Sequence, residues 1–186
     1  MRISAVLLAG GKSRRMGQDK ATLLFHGRPL WQNQLELLRR LSPTEIFISA
    51  PIDPSWRPEE IKFAPDDRPS RGPLSGIAAA LSQIKTQHLL ALAIDLPFMT
   101  ENYLRDLCER TRPNCGVVPV IEDRFEPLTA IYPREACLDL LAALSGNDFS
   151  LQSVVRKLIV GRKLQPVQVS EEERALFRNL NEPVDL

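Results

Sequence analysis

The chain has 186 residues, 44% of them hydrophobic, which suits one well-cored domain over residues 1–186 and leaves little for a second. Its formal net charge is +1, with 24 Lys and Arg against 23 Asp and Glu, so no global basic field argues for nucleic acid. The longest strongly apolar run, residues 89–94, is far too short to span a bilayer. The three cysteines form no C-x-x-C pair, so the expectation is a cytoplasmic protein without a leader, its thiols buried or free.

Residues 4–8 form a short apolar run stopped by Gly10 and Gly11, the pattern of a buried parallel strand entering a loop. Apolar residues then recur with helical spacing over 30–41, after Pro29, which suits a helix start. Residues 45–49 (EIFIS) predict a second strand, followed by a proline-rich loop and a short IKFA run. A helix is predicted over 74–84, opening just after Gly72-Pro73. Residues 88–95 (HLLALAID) are the most strand-like run of all, with Asp95 at the carboxyl end. Thr100 is a good N-cap for a helix over 101–110, with Glu101 complementing its dipole. Beyond it, 116–121 and 126–132 predict strands, 134–144 and 150–158 helices, and 163–169 a late strand. This order predicts an α/β fold: an open, mostly parallel Rossmann-like sheet flanked by helices, with right-handed crossovers.

The loop after the first strand, LLAGGKSRRMGQDK, combines Gly10, Gly11 and Gly17 with Lys12, Arg14, Arg15 and Lys20. Backbone freedom beside dense positive charge suits a small polyanion, because glycine lets a phosphate or a base edge approach the main-chain N–H groups. Two common phosphate loops do not fit. A P-loop ending in GGKS needs glycine at position 6, which is Val6, and the glycine spacing does not match G-x-G-x-x-G.

The stretch LLAGGKSRRMGQDKA closely resembles the signature loop of nucleotidyltransferases with a Rossmann-like fold, in the form typical of molybdenum cofactor guanylyltransferases. Three further motifs fall in that family's order: DDRPSRGPLSGI from Asp66, DLPFM from Asp95 and FRNLNEPVDL from Phe177. Related cytidylyltransferases commonly carry alanine where this chain has Gly10. Ser49 stands where some relatives have an asparagine near the nucleotide.

The resemblance implies transfer of GMP from GTP to the terminal phosphate of molybdenum-loaded molybdopterin, with release of pyrophosphate. It implies Mg²⁺ on Asp95 and charge compensation by Lys20, with Arg15 a weaker candidate for the same task. Backbone contacts to the nucleotide would come from Leu8, Ala9, Gly10 and Gly11. Asp67 would help hold the nucleoside, its register uncertain by one because Asp66 precedes it. Asn179 and Asn181 would lie near the pterin; their alternation around Leu180 puts both amides on one side of an extended segment. Contacts with cofactor-biosynthesis proteins or recipient enzymes would be transient. The alternatives are a cytidylyltransferase acting on the same cofactor, a sugar-nucleotide enzyme, or a binding module without catalysis. His26 and His88 fit no ligand spacing and read as structural or surface residues.

Overall fold

The computed structural model describes residues 2–10, 20–66 and 70–180. Among them β1 (Ser4–Leu8) leads, beyond the signature loop, to a 3-10 turn at Lys20–Thr22 and a two-residue hairpin, β2 (Leu24–Phe25) and β3 (Arg28–Pro29). Then follow α1 (Leu30–Arg40), β4 (Glu45–Ala50), β5 (Lys62–Pro65), α2 (Pro73–Leu81), β6 (His88–Ala93) and α3 (Glu101–Glu109). The remainder is β7 (Gly116–Ile121), β8 (Arg124–Phe125), β9 (Thr129–Pro133), α4 (Cys137–Leu144), α5 (Leu151–Val160) and β10 (Leu164–Gln168). The main sheet has the order β10-β7-β9-β6-β1-β4-β5, with β8 pairing to β7.

Every residue of β1 and β6 is buried, because the central strands have a covered face on each side. Their side chains alternate between two cores. Ala5 and Leu7 of β1, with Leu90 and Leu92 of β6, pack beneath α1 and α3. Val6, Leu8, Leu89 and Ala91 point the other way, toward Leu74, Ile77 and Leu81 of α2, Leu140 of α4 and Val154, Val155 and Leu158 of α5. The continuous apolar runs of the sequence are thus a three-layer sandwich read along its middle.

Pairing is parallel for β1 with β4 and β6, for β4 with β5 and for β10 with β7. The exceptions are β8, antiparallel to β7, and β9, antiparallel to both β6 and β7. Only residues 122–128 join β7 to β9, too few for the dozen or more that a parallel crossover needs, and β8 takes two of them in a hairpin against β7. Thr100 caps α3 as predicted, accepting a hydrogen bond from the Tyr103 backbone N–H at 3.4 Å. The three cysteines are free, and burial raises the Cys108 thiol to about 11. Among the described residues no helix is long and apolar enough to cross a membrane.

Candidate active site

The sheet order places the carboxyl ends of β6, β1, β4 and β5 side by side. From β1 the chain progresses outward through β4 and β5, then returns to lay β6 on the other flank of β1. That reversal is the switch point at which open α/β sheets leave a crevice for ligands. Two hydrogen bonds pin the end of β1: Ile94 N–H donates to Leu8 O at 3.2 Å, and Ala9 N–H donates to Ser49 O at 2.8 Å. The loop begins at Gly10.

On the β6 flank of the crevice stands Asp95, whose Oδ2 lies 3.2 Å from the Lys20 Nζ. The two residues are 75 apart in sequence, and their side chains keep 22% and 23% of their exposure, so the pair is open to a ligand. The turn carrying Asp95 is braced from below. Gln34 lies on the apolar stripe of α1 with Leu30 and Leu38, is fully covered, and donates its Nε2–H to Leu96 O at 2.7 Å. Its position four residues from Leu30 and from Leu38 was the available signal, a polar residue on a core face.

On the β5 flank stands Asp66, 8% exposed. Its Oδ1 accepts from Ser49 Oγ at 2.9 Å and its Oδ2 from Ser70 Oγ at 3.1 Å. A Cβ on Gly10 would lie 3.3 Å from Asp66 Oδ2 and 3.5 Å from Pro51 Cδ, so glycine here leaves room for the carboxylate. Asp66 thus lies against Gly10 from the β5 side, while Asp95 stands on the β6 side. Ser70 was not anticipated as part of the site, since a hydroxyl in a loop has no periodic signature.

The carboxyl-terminal segment reaches the same turn. Leu180 N–H donates to Asp95 O at 3.1 Å, Phe177 packs edge-on against Tyr103, and the Arg178 guanidinium lies over the Phe98 ring. Asn179 is exposed beside the buried Leu180. The structure therefore brings Leu8, Ala9, Gly10, Lys20, Asp95 and the backbone of Asn179 to one end of the sheet. Arg15, Gly11, Asp67 and Asn181 lie outside the described residues. The Asp66 carboxylate lies against Gly10 and Ser49. His88 is a buried structural residue, its Nε2 3.1 Å from Arg112 O.

A Rossmann-like sheet with a cation and a carboxylate at its switch point defines the class: a nucleotidyltransferase fold. Residues 5–165 match the model of the MobA-like NTP transferase domain, and the chain belongs to that family. It is 34% identical to a protein of Opitutus terrae named probable molybdenum cofactor guanylyltransferase, over 98% of this chain and 92% of that one. It is also 34% identical to the molybdenum cofactor guanylyltransferase of Xanthomonas euvesicatoria pv. vesicatoria, over 97% and 90% of the two chains. The crystal structure of molybdopterin-guanine dinucleotide biosynthesis protein A from Archaeoglobus fulgidus superposes with a TM-score of 0.78 at 25% identity, covering 98% of this chain and 94% of that one. At 14% identity, the 4-diphosphocytidyl-2C-methyl-D-erythritol synthase of Anaerococcus prevotii shares the fold, with a TM-score of 0.72 over 99% and 92% of the chains.

Proposed function

We propose that this chain is a molybdenum cofactor guanylyltransferase, passing GMP from GTP to the terminal phosphate of molybdenum-loaded molybdopterin and releasing pyrophosphate. The observation that carries the reading is the Lys20–Asp95 pair on the β6 flank of the crevice, one residue from each of two family motifs. The near full-length similarity to relatives bearing that activity in their names supports it.

A phosphate oxygen of the acceptor is already a nucleophile, so the protein has to align it with the α-phosphorus and offset charge as pyrophosphate departs. Lys20 sits at the loop end, where its ammonium reaches the triphosphate and stabilises the charge that builds there. Gly10 lets the nucleotide approach the main chain, and Asp66 faces the nucleoside. Asp95 is the residue that would hold Mg²⁺. A single carboxylate suits that ion, which keeps several waters and takes further ligands from substrate phosphates. Once bound, Mg²⁺ supplies electrophilic stabilisation of the phosphoryl oxygens. The reaction belongs in the cytoplasm, with delivery to recipient molybdoenzymes through transient contacts.

The test is a turnover assay with molybdenum-loaded molybdopterin and GTP, CTP or ATP. Pyrophosphate release with GTP, together with the guanine dinucleotide product, is the expected result. Preference for CTP would make the protein a cytidylyltransferase, and tight binding of both substrates without pyrophosphate would make it a carrier.

A further inference from the structure

The Asp66 carboxylate is held by two serine hydroxyls, one on each oxygen. Ser49 is 1% exposed and spends its hydroxyl proton on Oδ1. The Ser70 hydroxyl accepts from Gly72 N–H at 3.2 Å, which leaves its own proton directed at Oδ2. The Asp66 backbone is tied as well, its N–H donating to Ala50 O at 3.2 Å. Space has been kept for this arrangement. A Cβ on Gly76, in α2, would lie 2.6 Å from Ser49 Oγ and 3.2 Å from Asp66 Oδ1, so a side chain there would displace the serine hydroxyl or the carboxylate. Ser75, next to Gly76 and fully buried, accepts from Arg71 N–H at 2.9 Å and fixes the loop that carries Ser70.

A carboxylate offers about four lone-pair positions. Two are taken by the serines, which sets the plane of the group and leaves the others toward the crevice beside Gly10. We propose that Ser49 and Ser70 are positioning residues that act on the nucleotide through Asp66, fixing its rotamer so that its remaining lone pairs meet the N–H or O–H donors of the nucleoside. Ser49 then serves this chain as a buried brace and makes no contact with the base. The inference rests on the reading of this crevice as a GTP site.

Calorimetric titration with GTP alone, without acceptor, tests it across S49A, S70A, S70T and D66A and the double variants S49A/D66A and S70A/D66A. Each serine-to-alanine change is expected to weaken GTP about three- to tenfold, the value of one hydrogen bond. S70T, which keeps the hydroxyl, is expected to restore affinity. In the D66A background the serine changes should have no further effect, since the hydroxyls would have lost the group through which they act. Ser70 is exposed, so its variants carry the test even where S49A fails to fold. Serine losses that persist undiminished beside D66A, or alanine variants that bind GTP as the parent does, would overturn the proposal. A parent protein that binds GTP while either of these holds keeps the functional reading and loses only this inference; one that binds no GTP loses both.

Discussion

Lys20 and Asp95 neutralise one another in a half-open setting, where such a pair contributes only about 0–1 kcal/mol to stability. The proposed function gives them a role in the reaction instead, and the two roles separate by experiment. Lys20→Ala is expected to lower turnover by about a hundredfold or more, the usual loss when a donor to developing charge is removed, with the melting temperature nearly unchanged. Asp95→Asn should behave alike and in addition lose the Mg²⁺ dependence, because the amide brings no charge to the ion; rapid turnover at limiting Mg²⁺ would remove Asp95 from that role. Gly10→Ala tests the other flank. Its methyl would press on Asp66 Oδ2 at 3.3 Å, so GTP affinity should fall roughly fivefold, by about 1 kcal/mol of overpacking, as read in a binding titration.

At the scale of elements, β6 and β7 carry the sharpest constraints. A Cβ on Gly116, the first residue of β7, would lie 1.8 Å from Ile131 O, so the antiparallel approach of β9 requires glycine there. Gly116→Ala should cost about 3 kcal/mol or more by chemical denaturation, since backbone and not a flexible side chain must yield. His88 opens β6, and burial pushes its imidazole below the ordinary value of 6.5. A folded-state value lower than the unfolded one means that the unfolded chain binds the extra proton first. Stability is then unaffected above pH 6.5 and falls as pH drops below it. Melting curves between pH 7.5 and 5 should show that decline, and His88→Gln should flatten it. Much of this was legible in the sequence. The all-apolar runs of β1 and β6 announced strands buried on both faces and Thr100 announced its cap, whereas the antiparallel return of β9 was not read from the sequence. What was not legible has a common physical cause. The bond from Ser49 to Asp66 joins residues 17 apart, and Ser70 reaches the same group from a loop. No period relates such positions, and so the two hydroxyls on Asp66 had no signal in the sequence.

Taken whole, the molecule divides its site between two kinds of chain. The crevice is built by the first half, from β1, β4, β5 and the turn after β6, while the last described residues close over that turn from the far end of the sequence. Leu180 is the clasp: 2% exposed, its N–H on Asp95 O, with Phe177 against Tyr103 and Arg178 over Phe98 on the way in. This docking sets the exposed Asn179 beside the turn that carries Asp95, where the proposed function has it meet the second substrate. Leu180→Ala should cost about 2–4 kcal/mol, the usual range for a buried leucine, and disturb both ligands together because the turn itself loosens. Asn179→Ala should leave the melting temperature in place and GTP binding intact, while weakening molybdopterin about three- to tenfold, the value of one hydrogen bond to the acceptor. The two variants thus discriminate a clasp from a contact. Parallel titrations with GTP and with molybdopterin, beside a melting curve for each protein, read the difference directly. If Asn179→Ala melts early and weakens both ligands, the asparagine only shapes the chain around Leu180. If it is stable and binds molybdopterin as before, the acceptor lies elsewhere, and the case for a molybdenum cofactor substrate loses its support at this end of the chain.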